Sequence, residues 1–314
     1  MKKSIPFLKT LTISIISFIF LQCENEPVDF SILQNNIEEE IEEEITDEEI
    51  IDSTIFFTGL ECVGTGEYLK DDSNLIEDLI IPNNLPNNYD LSHFLPPIGN
   101  QGNQGSCASW AVSYYMKSMQ ERIQSGEPFL SSTIMSPSYT YNQIAQGNCG
   151  STSLTQTLTL LKERGVCPMD SFPYFDNNCA TQPSNVHHEL AQNAKISDFK
   201  YLSGNNMVAE MKTLLVNQTP ILISLFLSSE FGLKDEFNLT AYREHRVNYD
   251  SERCHGMLVV GYSDTYHAFK VVNSWGENWG DQGFVWIDYK AFENVSNENA
   301  YFRVINSALV AFDL

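Results

Sequence analysis

Gln101-Gly-Asn-Gln-Gly-Ser-Cys-Ala-Ser-Trp-Ala111 is the stretch whose reading decides the fold. It sets a glutamine six positions ahead of a cysteine, with the small residues Gly102, Gly105 and Ser106 between them. Beyond the cysteine, Val112, Tyr115, Met116, Met119 and Ile123 recur at steps of three and four, the spacing of one buried helical face. Cys107 therefore falls at a helix start. There the unsatisfied N–H groups and the positive end of the helix dipole favour a thiolate, the nucleophilic form of the residue.

A thiolate needs a base, a group that orients the base, and donors for an oxyanion. The far end of the chain offers them in Cys254-His-Gly-Met-Leu-Val-Val-Gly-Tyr262, in Lys270-Val-Val-Asn-Ser-Trp-Gly-Glu-Asn-Trp-Gly-Asp-Gln-Gly283 and in Phe284-Val-Trp-Ile-Asp288. These apolar runs separated by Gly-rich turns read as successive antiparallel strands. His255 opens the first strand and Asn273 closes the second.

Together these blocks resemble a papain-like cysteine peptidase, in the family's order and from about Leu85 to the C-terminus. Gln101 matches the oxyanion-hole glutamine, Cys107 the nucleophile, His255 the general base and Asn273 the residue that orients it. Trp275 matches the tryptophan covering the histidine–asparagine hydrogen bond, and Leu85-Pro-Asn-Asn-Tyr-Asp-Leu91 resembles the start of the mature domain. The plant-type enzymes carry a cysteine and a tryptophan where this chain has Gln104 and Ala108. Bacterial members with Gln-Gly-x-x-Gly-Ser-Cys are similar to the pattern found here.

The resemblance implies an α+β, papain-like two-lobed fold, a helical lobe (about 105–190) and an antiparallel β-barrel-like lobe (about 195–314), with the active-site cleft between them. Local signals agree. Ser136 and Pro137 open a helix, another runs from about Ser153 to Arg164 with Leu154, Leu158 and Leu161 inward, and Gly165 stops it. An amphipathic helix over Val208–Val216 precedes a strand-like run, Pro220 to Leu227.

Residues 1–22 have a basic start and a short apolar stretch, the shape of a secretory signal, and Cys23 resembles a lipidation site. Residues 23–52 read as an acidic tether that would join the protein to a membrane through a lipid anchor at Cys23. That arrangement suits a cell-envelope or surface lipoprotein of a Gram-negative bacterium, otherwise a periplasmic or secreted protein. Residues 53–84 form an N-terminal extension much shorter than the family's long helical proregion, with a short propeptide role left open. The whole chain carries a net charge of −23, and from residue 53 on 15 basic residues face 28 acidic ones. Nucleic acid is therefore an unsuitable partner.

Seven cysteines fit an oxidising compartment. Cys167 and Cys179 bracket a Pro-Tyr element resembling the family's and are the expected disulfide pair, while Cys254 is either a bridge end or an exposed thiol. No paired C-x-x-C or H-x-x-x-H spacing occurs, so neither a metal nor any other cofactor is expected. Among six histidines, His255 stands out because it heads a strand and precedes Asn-Ser-Trp-Gly by eighteen residues. The expected activity is hydrolysis of peptide bonds in a peptide or protein substrate, chiefly within chains, by a Cys107–His255 thiolate–imidazolium pair and an acyl-enzyme. The alternative is a catalytically silent papain-like module that binds peptides at the surface.

Overall fold

The chain buries its helix-forming residues against one large sheet. The computed structural model describes residues 58–60, 68–77, 79–245, 253–293 and 303–314. The signal-like segment, Cys23, the acidic tether and Cys62 lie outside the described residues.

After a short strand β1 (Asn88–Asp90), the predicted nucleophile helix runs continuously over residues 107–125 and is designated α1. It is α-helical at Cys107–Ser109, π-helical at Trp110–Lys117 and α-helical again at Ser118–Ser125. Val112, Tyr115, Met116 and Met119 are buried, and Ile123 is partly so. In α2 (Pro137–Ala145) the Ser136 hydroxyl accepts the Tyr139 N–H at 3.1 Å, and Pro137 takes the first turn, where a missing N–H costs nothing. α3 (Leu154–Arg164) starts in a Ser153–Gln156 capping box, faces Leu154, Leu158 and Leu161 inward and ends at Gly165. Gly165 has φ +79°, and a Cβ there would meet the Ala191 carbonyl oxygen at 1.9 Å, so only glycine fits. A further helix, α4 (Asn185–Ala191), completes this side of the molecule.

The remaining elements are β2 (Ile196–Tyr201), α5 (Met207–Val216), β3 (Ile221–Phe226), β4 (Leu233–Lys234), β5 (Thr240–Tyr242) and β6 (Cys254–Ser263). They are followed by β7 (Ala268–Val272), β8 (Phe284–Asp288), α6 (Tyr289–Glu293) and β9 (Ile305–Asp313). The sheet order is β2-β9-β3-β6-β7-β8-β5-β4, with β1 added to β6. All pairs are antiparallel except β5–β8. The architecture is the expected α+β one, although the strands form an open sheet and not a closed barrel.

β6 is the hub: it pairs with β3, β7 and β1, and every residue in it is buried. Lys117 fastens α1 to the last strand. Its side chain, 1% exposed, pairs with Glu121 at 2.7 Å and with Asp313 of β9. A buried ammonium is tolerated only when matched in this way.

The disulfide expectation is corrected. Cys179 pairs with Cys149, with Cα atoms 5.5 Å apart, and Cys167 is a free, buried thiol. Cys167 accepts the Ser136 N–H on its carbonyl and belongs to the main core. Cys149 and Cys179 instead meet beside Tyr141 and Ala145, near the end of α2. Closeness in sequence favoured the wrong partner, because the chain returns to α2 only after the Pro-Tyr element. Cys254 is also disulfide-bonded and so is a bridge end.

Candidate functional site

The pairing register explains how the sheet side of the site forms. Val272 pairs with Leu258 across β6 and β7, so Asn273 continues opposite Met257, and His255 lies two residues along on the same face. Its Nε2 lies 2.7 Å from Asn273 Oδ1. That contact makes Nε2 the protonated nitrogen of the neutral ring and leaves Nδ1 as the acceptor. Among the described residues Nδ1 has no hydrogen-bond partner, the condition of a base awaiting a proton. The Trp275 ring stacks on the imidazole at 4.8 Å between centroids and is backed by Phe231 and Trp279. The indole thus keeps water from the His255–Asn273 bond.

The helix side supplies the sulfur. Cys107 Sγ accepts the Gly256 N–H at 3.4 Å, which sets it beside the residue following His255. Gln101 is held by the loop that carries Asn273. Gln101 N–H donates to the Ser274 carbonyl at 2.8 Å, and Ser274 Oγ donates to Gln101 Oε1 at 2.6 Å. The Ser274 contact fixes which end of the amide is NH₂, and Nε2 donates to the Gln104 carbonyl at 2.9 Å. The Tyr174 hydroxyl donates to the Gln101 carbonyl at 2.8 Å and lies 2.7 Å from Ser106 Oγ. All five residues singled out in the sequence, Gln101, Cys107, His255, Asn273 and Trp275, are therefore brought together. Cys167 and Cys179 lie apart from them, as their bonding above describes.

Ser274 and Tyr174, which hold Gln101, were not singled out as site residues in the sequence. Ser274 had the best available signal, since it directly follows Asn273. Two other histidines bond elsewhere: His187 Nδ1 lies 2.9 Å from the Ser184 hydroxyl, and His188 Nδ1 lies 2.8 Å from the Tyr139 hydroxyl. Among the described residues, no group of three His, Cys, Asp or Glu side chains is placed to hold a metal ion.

The cleft itself is filled by the chain. Gln101, Cys107, His255 and Asn273 are each 0% exposed. The Gly59 N–H acts on the Cys107 sulfur, and the Gly59 carbonyl accepts the Thr152 N–H at 2.9 Å. Leu60 forms bridges to both Thr152 and Cys254, with a long 3.4 Å N–H contact to the Cys254 carbonyl. Its side chain enters a small apolar niche: Leu60 Cδ1 and Leu154 Cδ2 each lie 3.4 Å from where a Cβ on Gly256 would project, and Ala108 Cα lies 3.5 Å from it. An open cavity of about 660 Å³, lined by Asp235, Arg243, Tyr266 and Asp288 among others, contains none of the five site residues.

Burial dictates the charge state in this arrangement. It pushes the Cys107 thiol up to about 11, against the opposing pull of N–H groups from Gly256, Gly59, Ala108 and its own backbone. It holds the His255 imidazole down to about 4, against the raising effect of the Asn273 hydrogen bond. In the filled cleft the pair is thus neutral thiol and neutral imidazole, whereas the helix-start position alone favours a thiolate. Removing water from a charge outweighs the helix dipole here.

A two-lobed α+β fold, with a cysteine at a helix start beside a histidine–asparagine pair under a tryptophan, defines a papain-like protein. The sequence description "Papain family cysteine protease" matches residues 85–304, and the chain belongs to that family. Gamete and mating-type specific protein A of Dictyostelium discoideum is 26% identical over 226 residues, covering 71% of this chain and 46% of that protein. Cysteine proteinase 2 of Leishmania pifanoi is 37% identical over 119 residues, covering 37% of this chain and 25% of that protein. The chain therefore spans less than half the length of these two relatives. Mouse cathepsin K is 23% identical, with 77% of this chain and 69% of that protein covered. Among solved structures, xylellain, a cysteine protease from Xylella fastidiosa, superposes with a TM-score of 0.63 at 21% identity, covering 82% of this chain and 96% of xylellain. The proform of the ragweed cysteine protease Amb a 11 gives a TM-score of 0.57 at 19% identity, covering 74% and 68%.

Proposed function

We propose that the protein is a cysteine endopeptidase whose cleft is closed by its own residues 58–60. The observation that carries the reading is the constellation itself. Cys107 stands at a helix start, and His255 is hydrogen-bonded to Asn273 beneath Trp275, all within the family-matching region. A module that merely bound peptides has no need of a sulfur, a base, an orienting amide and Gln101 at one point.

With the cleft open, water and the developing charges support a thiolate–imidazolium pair. Cys107 Sγ attacks the peptide carbonyl carbon, and the Cys107 N–H and the Gln101 amide stabilise the oxyanion. His255 Nδ1 donates its proton to the leaving amine, then takes one from the water that hydrolyses the thioester. Asn273 and Trp275 hold the ring throughout. Peptide or protein substrates follow from this chemistry, and no cofactor takes part in it. The signal-like residues 1–22 and the disulfide-bonded Cys149, Cys179 and Cys254 support export. The resemblance of Cys23 to a lipidation site supports attachment to the cell envelope.

The test is labelling of the signal-free protein with a peptidyl epoxide, followed by peptide mapping. Little modification of the closed chain, and modification at Cys107 once residues 24–84 are removed that is lost in His255→Ala, is the expected result. Absence of labelling in folded protein whose residues 24–84 have been removed would refute the peptidase reading.

A further inference from the structure

The loops bearing Gln101 and Asn273 are joined by backbone. Gly276 N–H donates to the Gly99 carbonyl at 2.9 Å, Asn100 bridges Trp275, and Gln101 N–H donates to Ser274. These bonds fasten the two loops to each other. They do not fasten either loop to the helix that carries the sulfur.

The Tyr114 hydroxyl of that helix donates to the Pro97 carbonyl at 2.8 Å, on the approach to Gln101, and the next residue along the helix reaches both loops at once. Tyr115, eight residues beyond Cys107 on the π-helical part of α1 and 1% exposed, donates its O–H to the Asn273 carbonyl at 2.9 Å. The same oxygen accepts the Gly99 N–H at 2.9 Å. The nucleophile's helix, the Gln101 loop and the Asn273 loop therefore meet at one atom. A π-helical turn widens the helix locally and recurs where a helix must aim a side chain for function.

We infer that Tyr115 is a positioning residue for the peptidase reaction proposed above, its hydroxyl setting Asn273, and through Asn273 the His255 ring, against the Cys107 helix. The inference rests on that functional reading. It needs the hydroxyl and not the ring. The ring packs on Tyr114 at 5.1 Å and on Trp110 at 6.5 Å, contacts that phenylalanine would keep. Without the hydroxyl, the Asn273 carbonyl and the Gly99 N–H both lose a partner in a dry interior. The orienting amide is then free to settle elsewhere. The substrate cleft is untouched, so binding is preserved while the chemical step suffers.

The experiment compares the full chain with its Tyr115→Phe variant, histidine ring nitrogens labelled with ¹⁵N. The His255 signal is assigned by its loss in His255→Ala. The expected result in Tyr115→Phe is a shifted His255 Nε2–H resonance exchanging with water roughly tenfold faster, as befits loss of a net hydrogen bond. In chains opened by Gly59→Val, kcat falls about tenfold with KM within about twofold. An unchanged Nε2–H resonance and exchange rate in folded Tyr115→Phe would overturn the inference, as would a loss of thermal stability with kcat unchanged. If Tyr115→Phe does not fold, 3-fluorotyrosine at position 115 keeps the shape and strengthens the donor. It is expected to move the Nε2–H resonance, and an unmoved resonance again overturns the inference. Failure of the epoxide to label Cys107 in the opened parent chain would instead sink the peptidase reading, independently of the resonance.

Discussion

Gly59→Val is the substitution expected to open the cleft. A Cβ on Gly59 would lie 1.9 Å from the Gly105 carbonyl carbon and 2.1 Å from both Gly105 Cα and its oxygen. These are backbone atoms in the turn leading into Cys107, so no side-chain rotation relieves the clash. Segment 58–60 must leave its place. What it forfeits is the burial of Leu60, 7% exposed, and the Thr152–Gly59 hydrogen bond. Burying a leucine contributes about 2 kcal/mol and a net hydrogen bond about 1 kcal/mol. The 3.4 Å contact to Cys254 adds little. A loss of about 3 kcal/mol raises the ratio of open to closed cleft by roughly 10². The assay is the rate of Cys107 alkylation by a small neutral reagent, read by peptide mapping, in the wild-type and Gly59→Val full chains. A rate that stays within about twofold of wild type, in protein of unchanged fold, would refute the reasoning. The obstruction would then have to lie elsewhere.

Other outcomes follow from the same geometry. Because His255 is held down to about 4 when buried, against an ordinary value near 6.5, the closed state is fully favoured above about pH 6.5 and weakens as pH falls toward 4, by up to about 3 kcal/mol. Labelling of Cys107 by a pyridyl disulfide should therefore rise over that window, and a steady decline from pH 8 to 4 would contradict it. Cys107, pushed up to about 11, has the opposite sign: its contribution to closure is present below about pH 9 and lost as pH rises through 11. Gln101→Ala should lower kcat by on the order of 10²–10³, the effect of one oxyanion donor, and wild-type turnover would show that another group plays that part. Cys149→Ala should lower the melting temperature while leaving the Cys107 labelling rate of the Gly59→Val chain unchanged, since that disulfide joins the end of α2 to the loop after the Pro-Tyr element. A matching collapse of labelling would mean that the disulfide shapes the cleft.

Much of the site was legible because local rules fix it. The three-and-four spacing after Cys107 marked α1, and Ser136-Pro137 and Ser153 with Gly165 marked the ends of α2 and α3. The alternating turn and apolar runs marked the strands that carry His255 and Asn273. Each of these signals acts within a few residues, and the chain states it directly. The π-helical turn at Trp110–Lys117 was not legible, because its apolar residues suit an α-helix equally well and only packing around Tyr115 and its neighbours selects the wider turn.

The sequence by itself marked out a cysteine, a histidine, an asparagine and a glutamine as one candidate site, since their motifs are short and ordered. Only the tertiary structure decided their state. Gly59 and Leu60 reach the cleft from more than forty residues upstream of Cys107, Cys179 finds Cys149 and passes over the nearer Cys167, and Tyr115 meets Asn273 across 158 positions. These contacts depend on how the lobes close and which water is expelled. The same burial that completes the site also raises Cys107 and lowers His255. The residues mark the candidate site, and the dry interior formed around them decides whether the pair is charged.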